Sequence, residues 1–119
     1  MNGEDFISVA GELADAGTEA HWRSAISRAY YGAFHVARNA LVNRGASIPG
    51  DSSAHIDVQN KLIRHKNKDV SNAGSLLANL RTTRNKSDYE LVFHTVTQNN
   101  AALHSRVGQL IVDCVKKHL

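Results

Sequence analysis

The sequence LRTTRNKSDY, from Leu80 to Tyr89, combines the hydrophobic spacing of a helix with charged side chains on the same face. Leu77, Leu80 and Arg84 follow one another at steps of three and four residues, which is the spacing of one face of an α-helix. Arg84 is therefore in line with the apolar stripe. Because an unpaired buried charge is strongly destabilising, we expect Arg84 to be paired, to lie at an interface or to line a cleft.

Asp88 is the first candidate partner for Arg84, because residues four apart are neighbours on a helix surface. If the helix continues through Asp88, the two side chains form an ion pair. Alternatively, Arg84 lies in a frayed last turn, where it interacts with the terminal carbonyl groups and extends to water. The first interpretation predicts a polar site at this end of the helix, and the second predicts an ordinary helix end.

The composition is typical of a globular protein. The chain has 119 residues, of which 42% are hydrophobic and 21% are charged, which is enough for one domain over residues 1–119 with a single core. No run approaches the roughly 20 apolar residues that cross a bilayer, and the first residues lack the order of a signal peptide. We therefore expect a cytoplasmic protein without membrane contact. The single cysteine, Cys114, has helical spacing with hydrophobic neighbours and is predicted to lie in the core.

The net charge of +3 is unevenly distributed along the chain. The first 20 residues carry five acidic side chains and no Lys or Arg, whereas residues 61–86 carry seven basic side chains and one acidic side chain. Such a segment is typical either of a surface that binds a polyanion or of a solvated face without a ligand. The candidate RNA-binding or anion-binding residues are Arg64, Lys66, Lys68, Arg81, Arg84 and Lys86.

Helical spacing recurs along the chain and no segment shows the alternation of a strand, so we expect an all-α up-and-down bundle of four to five helices. The predicted helices cover residues 5–16, 19–43, 54–65 and about 70–89, and a last helix ends near residue 117. Residues 90–94 either extend the fourth helix or form a short ordered loop. The predicted caps are Thr18 for the second helix, Ser52 or Ser53 for the third, Asp69 for the fourth, and Thr95 or Thr97 for the last. The inner face of the third helix is assigned to Ile56, Gln59, Leu62 and Ile63, and that of the last helix includes Leu103, Val107, Leu110 and Ile111.

The second predicted helix carries more apolar surface than one partner helix can cover, because Tyr30, Tyr31 and Phe34 widen its hydrophobic stripe. Gly32 and several alanines on the same helix allow another backbone to approach closely. A tight crossing within the core and a dimer interface both explain this pattern. The width of the apolar arc favours the dimer.

Two segments together resemble the HEPN-domain superfamily. The sequence SRAYYGAFH, residues 27–35, is similar to the long second helix of these proteins, and LRTTRNKSDY is similar to the RxxADY segment of a small single-domain branch. His55, at the start of the third predicted helix, fits the same pattern. The resemblance runs from Thr18 to the C-terminus and implies an all-α bundle that forms a homodimer. The structural or dimer residues that it implies are Tyr30, Tyr31, Phe34 and Asp88.

The resemblance also implies a role in a toxin–antitoxin or phage-defence system, as a module that binds RNA or a partner protein. Many members of the superfamily are metal-independent ribonucleases, often found beside an antitoxin with a nucleotidyltransferase fold. Their site is an arginine followed directly by a polar residue, with a histidine placed so that four to six residues lie between it and the arginine. Arg84 and Asn85 match the first half, but the histidine window is occupied by Tyr89 and other residues, and the next histidine is His94.

The absence of a histidine in this window determines which functions are consistent with the sequence. Cleavage through a ribose 2′-hydroxyl needs a group that exchanges protons near neutral pH, which histidine does and tyrosine does poorly. Catalysis by Arg84 and Asn85 would therefore need His94 or Tyr89 to approach from the following segment or from a partner. Three functions are consistent with the sequence: a binding module with a degenerate motif, an active endoribonuclease, and a non-catalytic adaptor. We predict no cofactor and no metal site, and we interpret His35 as a packing residue.

Overall fold

The computed structural model describes residues 2–89 and 96–119, and within these residues the chain is all α-helical, as predicted. The helices are α1 (Gly3–Asp15), α2 (Glu19–Asn43), α3 (Ala54–Ile63), α4 (Lys68–Tyr89) and α5 (Gln98–His118). In this part of the chain no helix is both long enough and apolar enough to cross a membrane. The assignment of residues 1–119 to one domain stays a prediction.

Local capping explains where several helices begin. Thr18 caps α2 as predicted, since its hydroxyl accepts a hydrogen bond from the backbone N–H of His21 at 3.3 Å. The predicted cap of α4 was wrong. Asn67, rather than Asp69, accepts the backbone N–H groups at the start of α4, at 2.9 Å from Asp69 and 3.2 Å from Val70.

The other two predicted caps have different outcomes. Ser53 occupies the capping position of α3 but makes no capping hydrogen bond, and Oδ1 of Asp51 instead accepts the backbone N–H of Ser53 at 2.9 Å. Thr97 caps α5, where its hydroxyl accepts the N–H of Asn100 at 3.1 Å. The cap of α5 is therefore Thr97, one of the two residues that the sequence predicted.

The core lies where α2 packs against the other four helices. Tyr30 and Phe34 of α2 are buried in it, with exposed fractions of 1% and 5%. The sequence assigned both as structural or dimer residues, and α3 and α4 of the same chain cover them, so their burial needs no partner protomer. The other main contributors to this cluster are Leu41, Val58, Leu62, Val70, Leu77, Leu80, Ile111 and Val115.

The backbones of α1 and α2 cross at close range through two glycines. A Cβ on Gly32 would lie 2.7 Å from the carbonyl oxygen of Gly3 and 2.7 Å from a methyl group of Ile7. A Cβ on Gly3 would lie 2.8 Å from the carbonyl oxygen of Gly32. The glycine in the middle of α2 therefore serves a crossing within one chain, which corrects the preference for a dimer interface at this position.

Two of the predicted inner faces were partly wrong. Ile56 and Ile63 of α3 and Leu103 and Leu110 of α5 are exposed, with Leu110 exposed to 60%. Helical spacing identifies an apolar stripe but not which edge of the stripe meets a neighbouring helix. Cys114, predicted to be a core residue, is half-buried against the main cluster, and burial raises the pKa of its thiol.

Candidate functional site

Arg84 lies in the last turns of α4, and three side chains of the same chain hold its guanidinium. One terminal nitrogen donates to Oδ1 of Asn85 at 2.9 Å, and the other donates to the hydroxyl of Tyr31 at 2.5 Å. The Nε atom lies 2.9 Å from Oδ2 of Asp88, which confirms the predicted ion pair four residues along the helix. The Nε–H is not aligned for a hydrogen bond with this carboxylate, so the Asp88 contact is electrostatic. The orientation of the Arg84 guanidinium is therefore fixed by these three side chains.

The guanidinium also packs on an aromatic ring of α2. Its central carbon lies 4.8 Å from the centre of the Tyr31 ring, within the range of a cation–π contact. The Arg84 side chain is 17% exposed, so it is neither fully buried nor extended into water. A guanidinium has five N–H donors, and in the described part of the chain one on each terminal nitrogen has no hydrogen-bond partner. These two N–H groups can donate to an anion that reaches them.

Two further cations lie on the same end of α4. Arg81 precedes Arg84 by three residues and therefore lies on the same helical face, half-exposed, and Lys86 is exposed. Within residues 81–88, these three cations and Asp88 give a net charge of +2. We refer to Arg81, Arg84, Lys86 and the residues that hold Arg84 as the Arg84 cluster.

The other candidate anion-binding residues lie elsewhere. Arg64 follows α3, Lys66 lies between α3 and α4, and Lys68 is the first residue of α4. At a rise of about 1.5 Å per residue, Lys68 and Arg84 are roughly 24 Å apart along the helix. The basic segment that is continuous in sequence is therefore divided between the two ends of α4.

A histidine from α3 approaches this region. Nδ1 of His55 lies within hydrogen-bonding distance of the hydroxyl of Tyr30, at 2.6 Å, and its ring stacks on Phe34 with centroids 4.3 Å apart. Burial, and then the charges of Arg81 and Arg84, lower the pKa of His55 below its ordinary value of 6.5. His55 is therefore mainly neutral at pH 7.

The hydroxyl that meets His55 also stays uncharged. Burial raises the pKa of Tyr30 to about 12, although Arg81 and Arg84 act in the opposite direction. The sequence did not assign His55 a site role, because its partner Tyr30 lies 25 residues away and no local spacing connects the two. The one available signal was the position of His55 in the family resemblance.

A surface cleft of about 200 Å³ opens beside His55, between α2 and the start of α3. His35 also lines the cleft, and its ring packs against Phe34 at 5.3 Å and Phe6 at 5.7 Å between centroids. The packing role predicted for His35 is confirmed by these contacts. Burial, together with the charge of Arg38, lowers the pKa of His35.

The remaining predicted site residues cannot be placed against Arg84. His94 lies outside the described residues, and so does the side chain of Tyr89 at the end of α4. Their proposed part in proton transfer stays a prediction. Among the described residues, no group of three or more His, Cys, Asp or Glu side chains is arranged to hold a metal ion.

Comparisons with known proteins add no relative. No protein-family model, no curated protein and no solved structure matches this chain. The geometry of the Arg84 cluster and the chemistry of the residues around it are therefore the features that indicate a function.

Proposed function

We propose that this chain is a cytoplasmic, dimeric RNA-binding module of the HEPN type that acts in a toxin–antitoxin or phage-defence system. The observation that carries the proposal is the fixed guanidinium of Arg84, which Tyr31, Asn85 and Asp88 hold in one orientation. A side chain that is already ordered loses less conformational entropy when it binds a ligand. Two N–H donors in a planar group suit a phosphate better than a point charge does.

Local charge supports a polyanion as the ligand. Arg81 lies on the same helical face as Arg84 and Lys86 lies two residues further along α4, and within residues 81–88 Asp88 offsets one of these three positive charges. Contacts of Arg and Lys with phosphates supply most of the sequence-independent affinity for nucleic acid. A single-stranded RNA backbone presents phosphates at regular intervals, so Arg81 and Arg84 contact neighbouring phosphates in this proposal.

Binding of labelled single-stranded RNA tests the proposal. We expect Arg81→Ala to weaken the affinity about tenfold and to lower the slope of log affinity against log salt by about 1, as expected for one lost phosphate contact. Arg106→Ala, which removes an exposed arginine of α5, is the matched control and should bind as the wild type does. Equal affinities for the wild type and Arg81→Ala would contradict the proposal.

The dimer and a nucleotidyltransferase-fold antitoxin partner enter the proposal through the family resemblance. Light scattering of the purified chain tests the first, and a strictly monomeric protein would end the dimeric version. Co-purification with the product of a neighbouring gene tests the second. Neither result alters what the RNA-binding measurement says about Arg81.

A second candidate function is a non-catalytic adaptor. The observation that favours it is that Arg84 is already paired with Asp88 in the same chain, so its charge is partly satisfied without a ligand. In this case Arg84→Ala lowers stability and leaves RNA binding unchanged. The endoribonuclease alternative predicts cleavage of RNA in the presence of a chelator, lost in Arg84→Ala and in either His94→Ala or Tyr89→Phe.

A further inference from the structure

We propose that the cleft beside His55 binds one nucleobase of the RNA, while the adjoining phosphate lies at Arg81 and Arg84. This inference rests on the proposed function, because it names the part of the RNA that a second surface contacts. Two neighbouring surfaces with different chemistry support it: the Arg84 cluster is cationic, and the cleft beside His55 is lined by rings. A nucleotide has the same two parts.

The cleft is lined by ring systems and by one planar cation. His35 and His55 contribute half-exposed imidazole rings, Phe34 lies behind them, and Arg38 also lines the cleft. The ring of Phe34 is stacked under His55 and so fixes the orientation of that imidazole. Bases of single-stranded RNA stack on aromatic and histidine rings and on guanidinium planes. These surfaces suit a flat, uncharged ring.

The charge in the cleft is balanced, which distinguishes it from the Arg84 cluster. Arg38 is positive, and Asp51 is negative because hydrogen bonds from Ser53 lower the pKa of its carboxyl. His35 and His55 are mainly neutral at pH 7, since the pKa of each is lowered. A phosphate gains little in such a cleft. A base gains hydrogen bonds, because a carboxylate accepts from amino groups and Arg38 donates to ring nitrogens and carbonyls.

His55 connects the two environments. Its ring lines the cleft and lies 6.3 Å, between centroids, from the ring of Tyr31, whose hydroxyl accepts a hydrogen bond from Arg84. The cleft volume of about 200 Å³ is below the roughly 300 Å³ at which pockets for drug-sized ligands begin. A single base with its ribose at the mouth is therefore the appropriate size, and the attached phosphate points towards the arginines.

Comparison of intact and abasic RNA tests this inference. A fluorescein-labelled 12-nucleotide single strand and the same backbone without bases are titrated against the wild-type chain. We expect the intact strand to bind about tenfold more tightly, in line with the loss seen when base-stacking side chains are removed. Arg38→Lys, which keeps the charge and removes the planar group, should reduce this ratio towards one without weakening the abasic strand.

Matched variants separate the possible outcomes. Arg44→Lys, at an exposed arginine that follows α2, should leave the ratio unchanged, and His35→Ala should reduce it as Arg38→Lys does. If intact and abasic strands bind equally well, or if Arg38→Lys and His35→Ala keep the wild-type ratio, the base-binding role of the cleft is wrong while RNA binding at Arg81 stands. If neither strand binds, the proposed function fails and this inference fails with it.

Discussion

The two sides of α2 pack against their neighbours in different ways. Towards α1, Gly32 meets the backbone of Gly3 at a distance that admits no side chain. Towards α3 and α4, the same helix presents Tyr30 and Tyr31, whose hydroxyls meet a histidine and an arginine from other helices. One side is close-packed and apolar, and the other side combines ring packing with polar partners.

The difference between these two sides shows where a small helical bundle can hold polar functional side chains. A close backbone crossing leaves no room for polar side chains, whereas large rings hold neighbouring helices further apart and bring polar groups to their rims. Arg84 and His55 both occupy such positions, against Tyr31 and Phe34. The ring side of α2 is therefore where a ligand can be bound without loss of the core.

The largest effect is expected from filling the glycine crossing. Gly32→Ala should lower the free energy of unfolding by about 3 kcal/mol, at the upper end of overpacking effects, because a carbonyl oxygen of α1 cannot move away independently. Chemical denaturation measures the change. Gly17→Ala is the control, since a Cβ there meets nothing within 4 Å. If the two variants are equally stable, the close crossing does not exist in solution.

Removal of the Arg84 guanidinium should have the next largest effect on stability. Arg84→Ala leaves Asp88 without its cation and Tyr31 without its donor, so we expect a loss of about 2 kcal/mol. Urea denaturation of Arg84→Ala beside Arg106→Ala gives the comparison. An Arg84→Ala variant as stable as the control would mean that Tyr31 and Asp88 do not hold the guanidinium.

The sequence predicted the fold better than it predicted the site. The bounds of α2, the Thr18 cap and the Arg84–Asp88 pair follow from local rules, and the structure confirms all three. The pairing of Tyr30 with His55 could not be predicted, because it depends on how α3 packs on α2. The exposure of Leu110 was missed for the same reason, since a helical stripe does not specify its neighbours.

A smaller effect is expected on the ring side of α2. Tyr30→Phe removes the hydroxyl that meets Nδ1 of His55 and keeps the ring, so it should cost about 1 kcal/mol. Thermal unfolding followed by circular dichroism measures this change. Unaltered stability would show that water replaces the Tyr30 hydroxyl without loss, and would argue against a neutral hydrogen bond at this position.

The smallest effect is a dependence of stability on pH. Because the pKa of His55 is lowered in the folded chain, the unfolded chain binds more protons, and stability falls as the pH decreases from about 6.5. Burial and the charges of Arg81, Arg84 and His35 lower the pKa of His55. Burial and the charge of Arg38 lower the pKa of His35. Melting temperatures at pH 7 and pH 5.5 should differ less in His55→Gln than in the wild type. An equal difference in both would contradict the lowered pKa.

The most direct test of the central claim is an NMR titration of the labelled chain with single-stranded RNA. The account predicts that backbone amide shifts concentrate at residues 81–88 and around His55, with little change at Arg64 to Lys68. These two basic regions lie at opposite ends of α4, so the experiment separates them clearly. Shifts confined to Arg64–Lys68, or no shifts at saturating RNA, would contradict the claim that the Arg84 cluster is the phosphate-binding site.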